Sequence, residues 1–223
     1  MEDNGMDIMG MDEIENYNTG VDELETENIN LIFVGIDQSW SMGRYIGDMK
    51  NALSEFKSSL TDSKEADEIL VARANFSSTI DVGGYKKIEE FDDNYTTDGM
   101  TAMYDLVDEG VEKLLTYMNY LKQQGMRVKA VFAVFSDGDD TTSSKGLNDA
   151  IKRIDDLNSK EITTAFISFG SDAERSAKDM KFRNVLKLGA SSTELRKAFN
   201  VLSKSVVESS KSATSDGDDF FQM

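Results

Sequence analysis

The sequence contains no cysteine, no histidine and no proline. Without cysteine there are no disulfides and no thiolate metal sites. Without histidine there is no imidazole ligand, no imidazole general base and no Ser-His or Cys-His nucleophile pair. The missing proline has no evident physical reason in a chain of 223 residues. Basic residues are scarce, and none precedes Arg44. The formal net charge is −18, from 42 acids and 24 bases. Clustered Lys and Arg, which phosphate contacts need, are lacking, so direct nucleic-acid binding is not expected. No apolar run approaches the length of a membrane span, and the N-terminus lacks the basic and apolar regions of a signal peptide. The expectation is a soluble, cytoplasmic protein.

The acids that are present sit mainly at the ends. Residues 1–28 carry ten acids and no base, and Asp216, Asp218 and Asp219 follow near the other end. Setting these aside leaves roughly −5 for the body, an ordinary value. Residues 1–28 show no sustained period and read as a disordered acidic leader. Residues 209–223 read as a flexible tail containing Asp218-Asp219-Phe220-Phe221, a composition that suits a docking peptide.

Between these ends, residues 29–208 alternate strand and helix signals. Ile29 to Ile36 is an apolar run of the kind found in strands buried on both faces. Met49, Leu53, Phe56 and Leu60 recur at helical spacing, which predicts a helix over 44–60. Glu68 to Phe76 reads as a strand, Thr79 to Asp81 and Tyr85 to Phe91 as shorter exposed ones. A long helix is expected over 102–124, then a strong strand from Val128 to Phe135. Helix 145–159, strand Ile162 to Phe169, a short helix 172–180, strand Val185 to Leu188 and a closing helix through Leu195 to Val206 complete the pattern. The fold class is therefore α/β: a doubly wound, mostly parallel sheet flanked by helices.

Oxygen donors gather where these strands end. Asp37-Gln38-Ser39-Trp40-Ser41 follows the first strand. Gly99-Met100-Thr101-Ala102-Met103-Tyr104-Asp105 opens the long helix, and Ser136-Asp137-Gly138 ends the strong strand. Carboxylates and hydroxyls are what a hard divalent cation takes as ligands. Open α/β sheets also bind ligands outside the carboxyl ends of their strands. Each segment alone is a common strand end or helix start, but jointly and in this order they are specific.

Here the chain resembles the von Willebrand factor type A family. The motif of that family's metal-ion-dependent adhesion site, Asp-x-Ser-x-Ser followed by a Thr and an Asp, matches Asp37, Ser39, Ser41, Thr101 and Asp137. The resemblance implies a Rossmann-like fold over about residues 29–208. It implies direct coordination of Mg²⁺ (or Mn²⁺ or Ca²⁺) by Ser39 and Ser41, with Thr101 direct or through water. Asp37 and Asp137 would act largely through bound water. An open coordination position would take an Asp or Glu carboxylate from a partner protein, so the site is a latch rather than a catalyst. Intracellular members serve as adaptors, which suggests an ATPase, a kinase, a phosphatase or another copy of this chain as partner.

Trp40 stands where the family usually has a small residue, and reads as a hot spot at the rim. Gln38, Asp105 and Asp139 are further candidates for contact with a bound partner. Asp139 and Asp140 add negative charge beside Asp137, although solvated loop positions are the simpler account of both. Two other readings compete. A phosphatase of the haloacid-dehalogenase type would use Asp37, but it wants a second Asp where Ser39 stands. A scaffold could recruit partners through its acidic ends instead of the metal. Neither Gly-x-Gly-x-x-Gly after the first strand nor a Gly-x-x-x-x-Gly-Lys-Ser/Thr phosphate loop is present.

Overall fold

A computed structural model describes residues 17–61, 67–169 and 171–188. Its strands are β1 (Asn28–Asp37), β2 (Glu68–Phe76), β3 (Ile80–Val82), β4 (Lys86–Lys87), β5 (Arg127–Ser136), β6 (Thr163–Phe169) and β7 (Asn184–Leu188). The α-helices are α1 (Ile46–Thr61), α2 (Met103–Gln123), α3 (Leu147–Ser159) and α4 (Ser171–Asp179). One sheet runs β3-β2-β1-β5-β6-β7, with β4 also paired to β2. Only β3 and β4 are antiparallel to their neighbour.

β1 is the pivot of this sheet. It pairs in parallel with β2 on one side and with β5 on the other. The strand order therefore reverses between β1 and β5, and a crevice opens beyond their carboxyl ends. All of β1 except Asn28 is buried, as its apolar run requires of a strand covered on both faces. Its side chains alternate between two cores. Leu31 and Phe33 join Leu106, Val111 and Leu114 of α2, while Ile32, Val34 and Ile36 join Met49, Leu53 and Phe56 of α1. Each large side chain buried in this way contributes roughly 1.5–3 kcal/mol. On the α2 face the rings of Phe33 and Phe132 stack with centroids 4.9 Å apart. Gly110 of α2 lies over them, and a Cβ there would come within 2.5 Å of Phe33. The bare backbone lets α2 press onto the sheet and fixes the height at which its N-terminus meets the carboxyl edge.

The observed architecture is the α/β class that the alternating pattern implies, and β2 spans the residues expected for it. Three details differ. The helix expected from residue 44 opens with a 3-10 turn over Trp40–Tyr45 before α1 begins. The strand expected over Tyr85–Phe91 is only the two residues of β4, followed by a 3-10 turn at Ile88–Glu90. That turn brings Ile88 and Phe91 into one core, where Phe91 meets Phe56 edge-on at 5.4 Å. Burying two apolar side chains three residues apart overrides strand alternation. Finally, the last twelve residues of the expected acidic leader are packed in the described structure. Thr19 is buried, its N–H donates to the Tyr85 carbonyl at 2.8 Å, and its own carbonyl accepts from the Tyr117 hydroxyl at 2.7 Å. The Tyr17 hydroxyl donates to the Val82 carbonyl, and the Lys113 ammonium lies 3.8 Å from the Tyr17 ring centroid. Aromatic side chains and backbone pairing, invisible in a count of charges, hold this strap to the β3–β4 edge. The rest of the leader, the closing helix and the tail lie outside the described residues.

Candidate metal centre

Asp37, the last residue of β1, is fully buried. Its Oδ1 accepts the Ser39 N–H at 2.8 Å and its Oδ2 the Ser136 hydroxyl at 2.5 Å. The Tyr95 hydroxyl holds its backbone carbonyl at 2.6 Å. Burial pushes the Asp37 carboxyl up to about 6, against the downward pull of hydrogen bonds from Ser136 and Ser39; the nearby Asp137 adds to the rise. No basic side chain counts among these influences.

After Asp37 the chain curls into the 3-10 turn, closed by a hydrogen bond from the Met42 N–H to the Ser39 carbonyl. The curl brings the Ser39 and Ser41 hydroxyl oxygens within 3.0 Å of each other. Trp40, between them, is left 70% exposed. Ser41 donates to Asp137 Oδ1 at 2.6 Å. Arg44 donates to Asp137 Oδ2 at 3.1 Å; the Asp137 carboxylate is buried and the arginine largely exposed. A continuous run of contacts thus links Ser136, Asp37, Ser39, Ser41, Asp137 and Arg44 across the β1–β5 crevice.

Thr101 enters from the loop before α2. Gly99 has φ 74°, a left-handed conformation that favours glycine, and turns the loop back toward β1. The Gly99 carbonyl accepts the Trp40 N–H at 3.1 Å, and the Asp98 N–H donates to the Gln38 carbonyl at 2.6 Å. Thr101 is itself buried, and its backbone is clamped by Thr141: Thr101 N–H to Thr141 Oγ1 at 2.9 Å, and Thr141 N–H to the Thr101 carbonyl at 2.8 Å.

The structure thus gathers Asp37, Ser39, Ser41 and Asp137 in one hydrogen-bonded run and stitches the Thr101 loop to it through backbone contacts. Trp40 and Gln38 sit on the same loop. The other two candidates are engaged elsewhere. Asp105 accepts the Ser144 and Lys145 N–H groups, each at 2.8 Å. Asp139 pairs with Arg175 at 3.2 Å and accepts the Ser176 hydroxyl on α4. Asp140 likewise accepts the Ser143 hydroxyl and, at 3.3 Å, the Tyr104 N–H. These loop acids are tied down, where solvated positions were expected. Three contributors were not among the expected site residues: Ser136, Arg44 and Thr141. Ser136 was visible as a hydroxyl at a strand end. Arg44 was visible only as the first base in the chain.

The donor set fits a small hard cation. Octahedral Mg²⁺ with bonds of 2.0–2.1 Å places adjacent oxygens about 2.9 Å apart, close to the Ser39–Ser41 separation. Among the described residues no group of three or more acidic side chains could hold a metal, so a cation here depends on hydroxyl oxygens with carboxylates behind them.

No protein-family model matches the sequence, and no curated protein matches it. Solved structures do match, and they share the fold. A von Willebrand factor type A protein from Catenulispora acidiphila superimposes with a TM-score of 0.62 at 15% identity, over 81% of this chain and 43% of that one. The VWA domain of SpRpn10 gives 0.52 at 11% identity, over 77% of this chain and 94% of that domain. Manganese-loaded TRAP protein from Plasmodium vivax gives 0.50 at 16%, over 78% and 73%. The chain spans less than half the length of the Catenulispora protein. The fold is therefore that of von Willebrand factor type A domains: a mostly parallel sheet with helices on its faces. Among the described residues no helix is long and apolar enough to cross a membrane.

Proposed function

We propose that this chain is a metal-dependent protein-docking module, with Mg²⁺ (or Mn²⁺ or Ca²⁺) held at Ser39, Ser41 and Thr101. The observation that carries the reading is the pair of hydroxyls 3.0 Å apart, bracketed by the buried Asp37 and Asp137. Bound there, the cation would supply an electrophilic position for a carboxylate oxygen of a partner. Asp37 orients the Ser39 loop by accepting the Ser39 N–H and sits behind the hydroxyls, its other oxygen held by Ser136. Asp137 orients Ser41 by accepting the hydrogen bond that its hydroxyl donates. Because neutral hydroxyls supply the direct contacts, much of the cation's charge remains for an incoming Asp or Glu.

The reading is of a binding module and not an enzyme. Ser39 stands where a phosphatase of the dehalogenase type needs its acidic partner to Asp37, and the chain has no histidine to take a proton. The same proposal makes it an intracellular adaptor, cytoplasmic, whose partner is an ATPase, a kinase, a phosphatase or a second copy. Calorimetric titration with MgCl₂ and MnCl₂ tests the metal. Wild-type protein should bind one ion per chain, and Ser39→Ala should not. Equal affinity in both would refute the assignment. Hydrolysis of a phosphomonoester by the wild type would favour the phosphatase instead.

A further inference from the structure

Three large hydrophobic side chains are exposed among the described residues: Tyr17, Trp40 and Met100. Tyr17 is accounted for by its hydrogen bond to Val82 and the ammonium of Lys113 over its ring. The other two flank the candidate metal centre. Trp40 lies between Ser39 and Ser41, and Met100 immediately precedes Thr101. The hydrogen bond from the Trp40 N–H to the Gly99 carbonyl brings their two backbones side by side. Arg44 adds a largely exposed guanidinium at the same rim. Two exposed apolar side chains and a guanidinium therefore lie on the loops that carry the site, on a chain whose overall charge of −18 repels acidic segments elsewhere.

We propose that this rim is the docking site of the chain's own segment Asp218-Asp219-Phe220-Phe221, from the same molecule or another copy. The proposal rests on the metal-dependent docking reading and names its occupant. The segment offers carboxylates for the cation and for the exposed face of Arg44 beyond its bond to Asp137, with two aromatic rings directly adjacent for Trp40 and Met100. The exposed Asp98 on the Thr101 loop opposes an acidic segment in the metal-free state, which makes docking depend on the cation.

The length of chain permits it. β7 is parallel to β6, with Phe169 level with Leu188, and Ser136 of β5 is level with Ser168 of β6. Leu188 therefore leaves the sheet at the edge that carries Asp37 and Asp137. The two points lie three strand spacings apart, roughly 14 Å. Roughly thirty residues, 189–217, separate Leu188 from Asp218. Even entirely helical they would span about 45 Å.

Trp40 is the chain's single tryptophan, so the rim reports on its own cover. The experiment is acrylamide quenching of tryptophan emission in the full chain, with EDTA or with MgCl₂. Wild type is compared with Asp218→Asn/Asp219→Asn and with Phe220→Ala/Phe221→Ala, and calorimetry of Mg²⁺ is run on all three. With MgCl₂ the wild type should show a blue-shifted emission maximum and a quenching constant at least twofold lower than in EDTA. Both changes should vanish in the two tail variants while their Mg²⁺ binding persists. Mg²⁺ binding without any protection of Trp40 overturns this inference and leaves the docking reading standing. No Mg²⁺ binding by the wild type overturns both. Protection that persists in the tail variants assigns the cover to another surface and also overturns the inference.

Discussion

Two acidic regions of this molecule are built on opposite plans. On the outer side of α2, carboxylates face bases: Asp108 meets Arg153 at 2.6 Å and Lys145 at 3.2 Å, and Glu112 meets Arg153 at 3.2 Å. These pairs are partly buried, and Arg153 beside Asp108 holds its carboxyl below the usual range. At the β1–β5 crevice the buried Asp37 carboxylate is held by a hydroxyl and an N–H, and Asp137 meets a single, exposed arginine. The first region neutralises itself. The second keeps negative charge in a dry place and surrounds it with neutral oxygen donors, the arrangement on which the proposed cation site rests. Acid content alone does not distinguish them; what each carboxylate touches does.

That contrast can be broken most sharply at Asp37. Asp37→Asn keeps the shape and removes the charge, and should weaken Mg²⁺ binding on the order of 10- to 100-fold by calorimetry, with an unchanged far-ultraviolet circular dichroism spectrum. Unaltered affinity would place the crevice in the same class as the α2 patch. Next in size is Asp105→Ala, which frees the Ser144 and Lys145 N–H groups. It should cost about 1 kcal/mol in urea unfolding and, by loosening the Thr141 clamp on Thr101, lower Mg²⁺ affinity a few-fold. Arg44→Gln removes the base that reaches Asp137. The metal-free melting temperature should fall by an amount equivalent to about 1 kcal/mol, and saturating MgCl₂ should narrow the gap, because the cation then offsets the same carboxylate. The smallest effect belongs to the α2 patch. Arg153→Met should cost no more than about 0.5–1 kcal/mol in low salt and nothing measurable in molar NaCl. A large, salt-resistant loss there would erase the distinction.

The sequence exposed these features unequally. β1, β2 and α2 were legible because burial imposes a pattern on consecutive residues: a solid apolar run for a central parallel strand, a repeat near 3.6 for a covered helix. That the segments holding Asp37, Ser39, Ser41, Thr101 and Asp137 lie at strand ends and a helix start followed from the same element boundaries, whereas the choice of these five side chains rested on the resemblance to the von Willebrand factor type A motif. Arg44 was not, since its partner Asp137 lies 93 residues away and nothing local records that pairing. Ser136 bridges 99 residues to Asp37 for the same reason. The strap at residues 17–19 was masked by its acidic neighbourhood: its attachments are backbone groups and tyrosine hydroxyls, which composition does not weigh. Asp105 and Asp139 were nominated by nearness in sequence, yet their side chains are taken up by Ser144, Lys145, Arg175 and Ser176.

The strap also sets a distance. It is fastened at the β3–β4 edge, whereas the described chain ends at β7, on the far side of the sheet. Five strand spacings separate these margins, about 24 Å. The described chain thus begins and ends on opposite flanks of the sheet, with the crevice between them. Dyes placed beside Tyr17 and beside Leu188 would turn that width into a molecular ruler.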